Sequence, residues 1–173
     1  MPRRNIGVAI PVPQPYAGQL QDCRELFGDP QAKLVPAHIT LLPPTAITAA
    51  RLPVVEEHLR AIARSEHPFE LLLRGSGTFR PVSPVTFVPL AAGISECEQL
   101  EAKVRSGPLA RDVKFNYHPH VTVAQDVDEM ALDKAFEELA SFEARFTATG
   151  FTLFEEGTDN AWRPVSDFRF GLE

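Results

Sequence analysis

The sequence predicts an α+β fold of two lobes related by a pseudo-twofold axis, each with a mainly antiparallel sheet and packed helices, and with a groove between them. The first observation behind this is a pattern that occurs twice, His38-Ile39-Thr40-Leu41 and His120-Val121-Thr122-Val123, each inside an apolar, β-prone segment. The second is what precedes each copy: a strand, a helix and then the His-x-Thr strand, from Val8 to His38 and again from Phe87 to His120. Third, 173 residues of which 44% are hydrophobic suffice to bury a core, while no apolar run approaches the ~20 residues that a membrane span requires. Residues 1–173 are therefore expected to form a single bilobal domain with no membrane partner.

Taken in order, Asn5 to Val12 is a strand-like run, and Pro15 opens a helix to about Phe27 that Gly28-Asp29-Pro30 stops. The first motif strand follows from about Pro36 to Leu42. Thr45 or Thr48 then caps a helix in which Val54, Val55, His58, Leu59 and Ile62 recur at helical spacing, with Pro53 early enough for the first turn. Phe69 to Leu73 and Pro84 to Ala91 are strands around a glycine-punctuated turn. Ser95 begins a helix to about Arg105, Gly107-Pro108 breaks it, and the second motif strand spans Pro119 to Gln125. Asp128 caps a helix to about Ala140, and two long strand-like runs, Phe142 to Glu155 and Arg163 to Phe170, flank a turn at Gly157-Thr158-Asp159-Asn160. The expected order is β-α-β-α-β for one lobe and then β-α-β-α-β-β for the other.

Side chains alternate along a strand, so His38 and Thr40 share one face and Ile39 and Leu41 the other, and the second motif repeats this with His120 and Thr122. Two such strands facing one another offer two imidazoles and two hydroxyls to one ligand. Imidazole titrates near neutrality, so one histidine can take a proton while the other, held protonated, gives one. The threonine hydroxyls, ~7 Å along the strand from each imidazole, are short, stiff donors suited to a non-bridging phosphate oxygen. A phosphodiester fits this set, with no cofactor and no metal required. His118 shares the face of His120, and His38, His118 and His120 together would make a metal-activated hydrolase the competing arrangement. Otherwise His118 shapes the entrance or contacts substrate. His58 and His67 are expected to be packing or surface residues. Phe79, Tyr117 and Trp162 are candidates for a platform under a nucleobase.

The net charge of −6 argues against tracking of long duplex nucleic acid. Residues 126–173 hold 12 acids and 4 bases, whereas residues 1–125 hold 11 acids and 13 bases, so both motifs lie in the neutral-to-basic part. A small nucleotide or a short RNA end suits this balance, and a monomer is expected. Met1-Pro2-Arg3-Arg4 leads into a β-like run and not into a signal-peptide core, which makes the cytoplasm the expected address. Cys23 and Cys97 lack Cys-x-x-Cys spacing and are taken as ordinary thiols.

The two His-hydrophobic-Thr-hydrophobic motifs, 82 residues apart, with Pro119 before the second histidine and Gly75-Ser76-Gly77-Thr78-Phe79 between them, resemble the two-histidine phosphoesterase superfamily. Within it the chain is similar to the 2′-5′ RNA ligase-like proteins and RNA 2′,3′-cyclic phosphodiesterases. The resemblance implies the bilobal fold, catalysis by His38, Thr40, His120 and Thr122, and hydrolysis of a 2′,3′-cyclic phosphodiester or short 2′-5′ linkage, with ligation as the same chemistry reversed. His120 is taken as base and His38 as acid in hydrolysis. Phe79, Tyr117, His118 and Gln125 are the expected substrate contacts, Gln125 being a departure from relatives that often carry a basic residue near this position. The alternative outside enzymology is a module that binds an RNA end or nucleotide through the same His/Thr pair without turnover.

Overall fold

The computed structural model describes residues 2–113 and 115–171. Among them the strands are β1 (Arg3–Pro11), β2 (His38–Thr48), β3 (Phe69–Arg74), β4 (Gly77–Thr78), β5 (Val85–Ala92), β6 (His120–Gln125), β7 (Glu143–Ala148), β8 (Gly150–Glu156) and β9 (Trp162–Arg169). The α-helices are α1 (Tyr16–Leu26), α2 (Leu52–Arg64), α3 (Ile94–Val104) and α4 (Glu129–Glu138). No helix among the described residues is long and apolar enough to cross a membrane.

One sheet has the order β2-β1-β8-β9. The other runs β6-β5-β3-β7, with the two-residue β4 also paired to β5, and every pairing is antiparallel. The two orders correspond strand for strand: β1 with β5, β2 with β6, β8 with β3, β9 with β7. The registers correspond as well. Pro11, Ile10 and Ala9 lie opposite His38, Ile39 and Thr40, and Pro89, Val88 and Phe87 lie opposite His120, Val121 and Thr122. In both pairs the ladder then slips by one residue, leaving Leu41 and Val123 as the extra residue of a bulge directly after each threonine. The helices exchange between halves, since α1 packs against β6 and α3 against β2.

The expectation of two lobes in tandem is corrected by this topology. The run from Phe142 to Glu155 is not one strand: β7 pairs with β3, and after Thr149 the chain crosses to the other sheet, where β8 pairs with β1. Gly150 permits the crossing, because a Cβ there would lie 2.3 Å from the Phe168 carbonyl oxygen. The strand Phe69–Arg74, expected in the first lobe, belongs to the second sheet. The second sheet is thus built wholly from residues 69–148, inserted between the parts of the first.

Local structure follows the residues closely elsewhere. In α2, Pro53 sits in the first turn, and Val55, Leu59 and Ile62 form the buried stripe, whereas Val54, expected on that stripe, is exposed. Asp128 caps α4 by accepting a hydrogen bond from the Ala131 amide at 2.8 Å. Strand β2 continues past the expected end at Leu42 through Pro43-Pro44 to Thr48. It is an edge strand, where a missing N–H costs no ladder bond. Neither threonine caps α2 by its side chain: Thr45 lies in β2, and Thr48 precedes a 3₁₀ turn at Ala49–Arg51.

Candidate active site

The two motif strands have the same burial alternation. Ile39, Leu41, Val121 and Val123 are fully buried in the core, while His38, Thr40, His120 and Thr122 are half-buried on the opposite faces. β2 and β6 pack against each other. His38, Thr40 and Thr122 line one cavity of about 280 Å³, together with Arg24, Gln125 and Trp162 among others. His120 is not in that lining. It stands two residues before Thr122 on the same face of β6, with its ring edge-on to Phe79 at 4.9 Å and 5.1 Å from the ring of Phe87.

Both imidazoles are oriented by the same local bond. His38 Nδ1 lies 2.7 Å from the carbonyl oxygen of Pro36, and His120 Nδ1 lies 2.6 Å from that of His118. A carbonyl only accepts, so each Nδ1 carries the hydrogen and donates it, and each Nε2 is left as the working nitrogen. That nitrogen accepts a proton when the ring is neutral and donates one when it is charged.

The pKa of His38 is lowered by burial and further by the Arg24 guanidinium, against the opposing effect of its bond to Pro36. His120 is pushed down to about 4, again chiefly by burial and then by the positive charge of His118 and of His38, with the bond to the His118 carbonyl opposing. Both shifts favour the neutral form of the imidazole. A bound anion would offset both the desolvation and the mutual repulsion and so favour a protonated imidazole.

A model of the 2′-5′ RNA ligase superfamily matches residues 12–160. The chain belongs to this superfamily. A Bacillus cytotoxicus protein that carries phosphoesterase in its name is 32% identical over 145 residues, 83% of this chain and 84% of that one. A Halalkalibacterium halodurans protein with the same word in its name is 26% identical over 171 residues, 98% and 99% of the two chains. Among solved structures, Escherichia coli LigT complexed with 3′-AMP superposes with a TM-score of 0.77 at 19% identity, covering 99% of this chain and 100% of that one. The same protein complexed with NADP⁺ gives 0.75 at 20% identity, with the same coverage. These likenesses establish the fold as that of LigT.

The Gly75-Ser76-Gly77-Thr78-Phe79 segment has a physical explanation in this fold. Gly75 takes a left-handed conformation, φ 76°, and Gly77 is crossed by the Phe87 ring, which a Cβ would approach to 2.7 Å. The contact lets Phe79 stack on Phe87 with centroids 4.3 Å apart, and both rings then seat His120 and His118. Phe79, expected beneath a nucleobase, is thus engaged in holding His120. Tyr117 is likewise occupied, its hydroxyl donating to the Thr40 carbonyl at 2.7 Å while burial raises its pKa. Of the expected aromatic platform, Trp162 alone lines the cavity.

His118 is exposed, its ring 5.8 Å from that of His120. Among the described residues no three His, Cys, Asp or Glu side chains converge as metal ligands, so the His38, His118 and His120 arrangement lacks its geometric basis. Gln125 is exposed at the end of β6 and borders the cavity. His58 is occupied with the Val104 carbonyl at 3.1 Å, and His67 is exposed.

Two residues that sequence reasoning passed over complete the site. Arg24, in the last turn of α1, is buried and lines the cavity, and its Nε donates to Asp29 Oδ2 at 2.7 Å. The helix stop brings them together. The Gly28 amide donates to the Glu25 carbonyl and the Asp29 amide to the Arg24 carbonyl, a Schellman cap with Gly28 at φ 77°, which folds Asp29 back onto the helix end. Asp29 Oδ1 accepts from the Gln31 amide at 2.7 Å and Oδ2 from the Gln125 amide at 3.0 Å, so the carboxylate joins α1 to the end of β6. The signal was present in the Gly28-Asp29 stop, but only the cap geometry connects it to Arg24.

Proposed function

We propose that the chain is a metal-independent phosphodiesterase that hydrolyses a 2′,3′-cyclic phosphodiester or a short 2′-5′-linked nucleotide by acid–base catalysis between His38 and His120. The observation that carries this reading is the matched pair of tautomer-fixed imidazoles, each with a threonine two residues on, on strands of equivalent register. Binding alone has no use for two positioned proton-transfer groups.

In this reading Thr40 and Thr122 donate to the non-bridging oxygens of the phosphate. His120 Nε2 takes a proton from water as its oxygen attacks phosphorus in line, and the P–O bond to one ribose oxygen breaks. His38 Nε2–H delivers its proton to that departing oxygen, which yields a phosphomonoester and a free ribose hydroxyl. The value near 4 for His120 favours the neutral form that a base requires. Ligation is the reverse sequence with the two roles exchanged. A cavity of about 280 Å³ has room for one nucleoside and not for a duplex. The 3′-AMP and NADP⁺ complexes of LigT support a nucleotide as ligand.

The test is incubation of the purified protein with 2′,3′-cyclic nucleotides and 2′-5′-linked dinucleotides in excess chelator, beside His38→Ala and His120→Ala controls. Turnover that persists in chelator and is lost in both controls is expected. Ligand binding without turnover would replace this reading by a nucleotide-binding module. Activity restored only by added metal would replace it by a metallohydrolase.

A further inference from the structure

Among the described residues, Arg24 is the one Lys or Arg that lines the cavity shared by His38, Thr40 and Thr122. It is 6% exposed, and a guanidinium taken so far out of water must be compensated. Asp29 compensates only one edge of it, through Nε. Among the described residues the two Nη groups have no hydrogen-bond partner, yet no buried side-chain nitrogen or oxygen lacks one. The Nη groups therefore keep some exposure, and since Arg24 lines the cavity they present a fork of donors to it.

We propose that Arg24 binds the phosphate of the substrate, its Nη edge donating to a non-bridging oxygen in the cavity shared with His38, Thr40 and Thr122. The inference rests on the phosphodiesterase reading for the identity of the anion. Gln125, at the end of β6, has no charge to contribute and the neighbouring Asp126 is acidic, so among the described lining residues the permanent positive charge comes from α1. Guanidinium suits this position because it is a permanent cation and its planar fork matches two phosphate oxygens. Asp29 acts through Arg24 as a positioning residue. By holding Nε it aims the other edge into the cavity, and by accepting from the Gln125 amide it ties that aim to the strand that bears His120 and Thr122.

The experiment measures binding separately from turnover. Trp162 is the chain's single tryptophan and lines the cavity, so its fluorescence reports occupancy directly. Inorganic phosphate, 3′-AMP and adenosine are titrated into the wild type, into Arg24→Lys, and into the double variant Arg24→Gln/Asp29→Asn, which leaves no unpaired charge buried. Circular dichroism confirms folding, and calorimetry supports the fluorescence. The double variant should lose about ten- to a hundredfold in affinity for phosphate and 3′-AMP, the scale of a charged hydrogen bond, while adenosine binding is unchanged. Arg24→Lys keeps the charge but not the fork and should fall between, which a purely structural role would not produce.

A folded double variant that binds 3′-AMP like the wild type overturns the inference. If that variant does not fold, Arg24→Lys with wild-type affinity for phosphate and 3′-AMP overturns it instead. Wild-type protein that binds phosphate through Arg24 but turns over no cyclic phosphate leaves the anion site standing and removes the catalytic reading. Turnover with Arg24-independent binding does the reverse.

Discussion

Tyr117 donates its hydroxyl to the backbone carbonyl of Thr40 across 2.7 Å, so the segment that leads into His120 is tied to the strand that carries His38. The bond links the two halves beside the strands that carry the two imidazoles. Tyr117→Phe removes the donor and leaves the carbonyl unmatched at a cost of about 1–3 kcal/mol. Urea denaturation should show this loss, and kcat should fall more than KM rises. A variant with wild-type stability and turnover would show that the strands are aligned by other contacts.

Replacing either motif histidine by alanine should lower kcat by roughly a hundredfold to ten-thousandfold, the usual scale for a positioned acid or base, with the fold retained because both side chains face the site. His58→Ala should leave turnover within a few-fold, since that ring is occupied with the Val104 carbonyl. Equal damage from His58→Ala in a folded protein would move the chemistry elsewhere.

The depressed pKa of His120 has a consequence for acid stability. Its value near 4 in the folded state lies below the ordinary 6.5, so the unfolded chain binds the proton more readily. The stabilisation held by the neutral ring is complete above about pH 6.5, declines as pH falls, and is gone below about 4. His120→Ala should therefore lose less of its melting temperature between pH 7.5 and pH 4.5 than the wild type does. NMR titration of the ring should give a value near 4 without ligand, rising when phosphate is added. Turnover should show two limbs that belong to the histidine pair together.

Gly77→Ala tests the seat of His120. A Cβ at that position meets the Phe87 ring at 2.7 Å, and the ring is held against Phe79 and cannot swing aside freely. Overpacking of this kind costs about 1–3 kcal/mol and should displace the aromatic pair from His120. A drop in melting temperature accompanied by reduced turnover is expected. Full activity in the alanine variant would show that Phe79 and Phe87 do not position the imidazole.

The motif faces were legible in the sequence because strand alternation is a backbone property: once His38-Ile39-Thr40-Leu41 is a half-buried strand, the sides on which its residues lie follow. The repeated strand-helix-strand order made the recurrence of the two halves legible, but not the antiparallel pairing of β1 with β2 and of β5 with β6, because a strand-helix-strand unit more commonly joins parallel neighbours. The crossing at Thr149-Gly150 was not legible either, since a glycine within an apolar, β-prone run marks a bend without saying to which sheet the chain goes. For Phe79 and Tyr117 the sequence suggests ligand contact, because an aromatic side chain near a site has the same composition whether it stacks on a base or on Phe87. The Arg24–Asp29 pair is not legible in the sequence because it arises from a helix cap that doubles the chain back, a contact with no periodicity to betray it.

The insertion of residues 69–148 between the parts of the other sheet also orders the assembly of the molecule. The β3, β5, β6 and β7 sheet is contiguous in the chain, whereas β1 finds its neighbour β8 only across the separation of Ile6 from Glu155. During synthesis the half that bears His120 is complete before β8 exists, and β1 and β2 wait with one edge unpaired. The half that bears His38 closes last, when the C-terminal hairpin docks beside β1. Nascent chains arrested before Gly150 should accordingly expose an unpaired β1 edge and depend on chaperones that shield it.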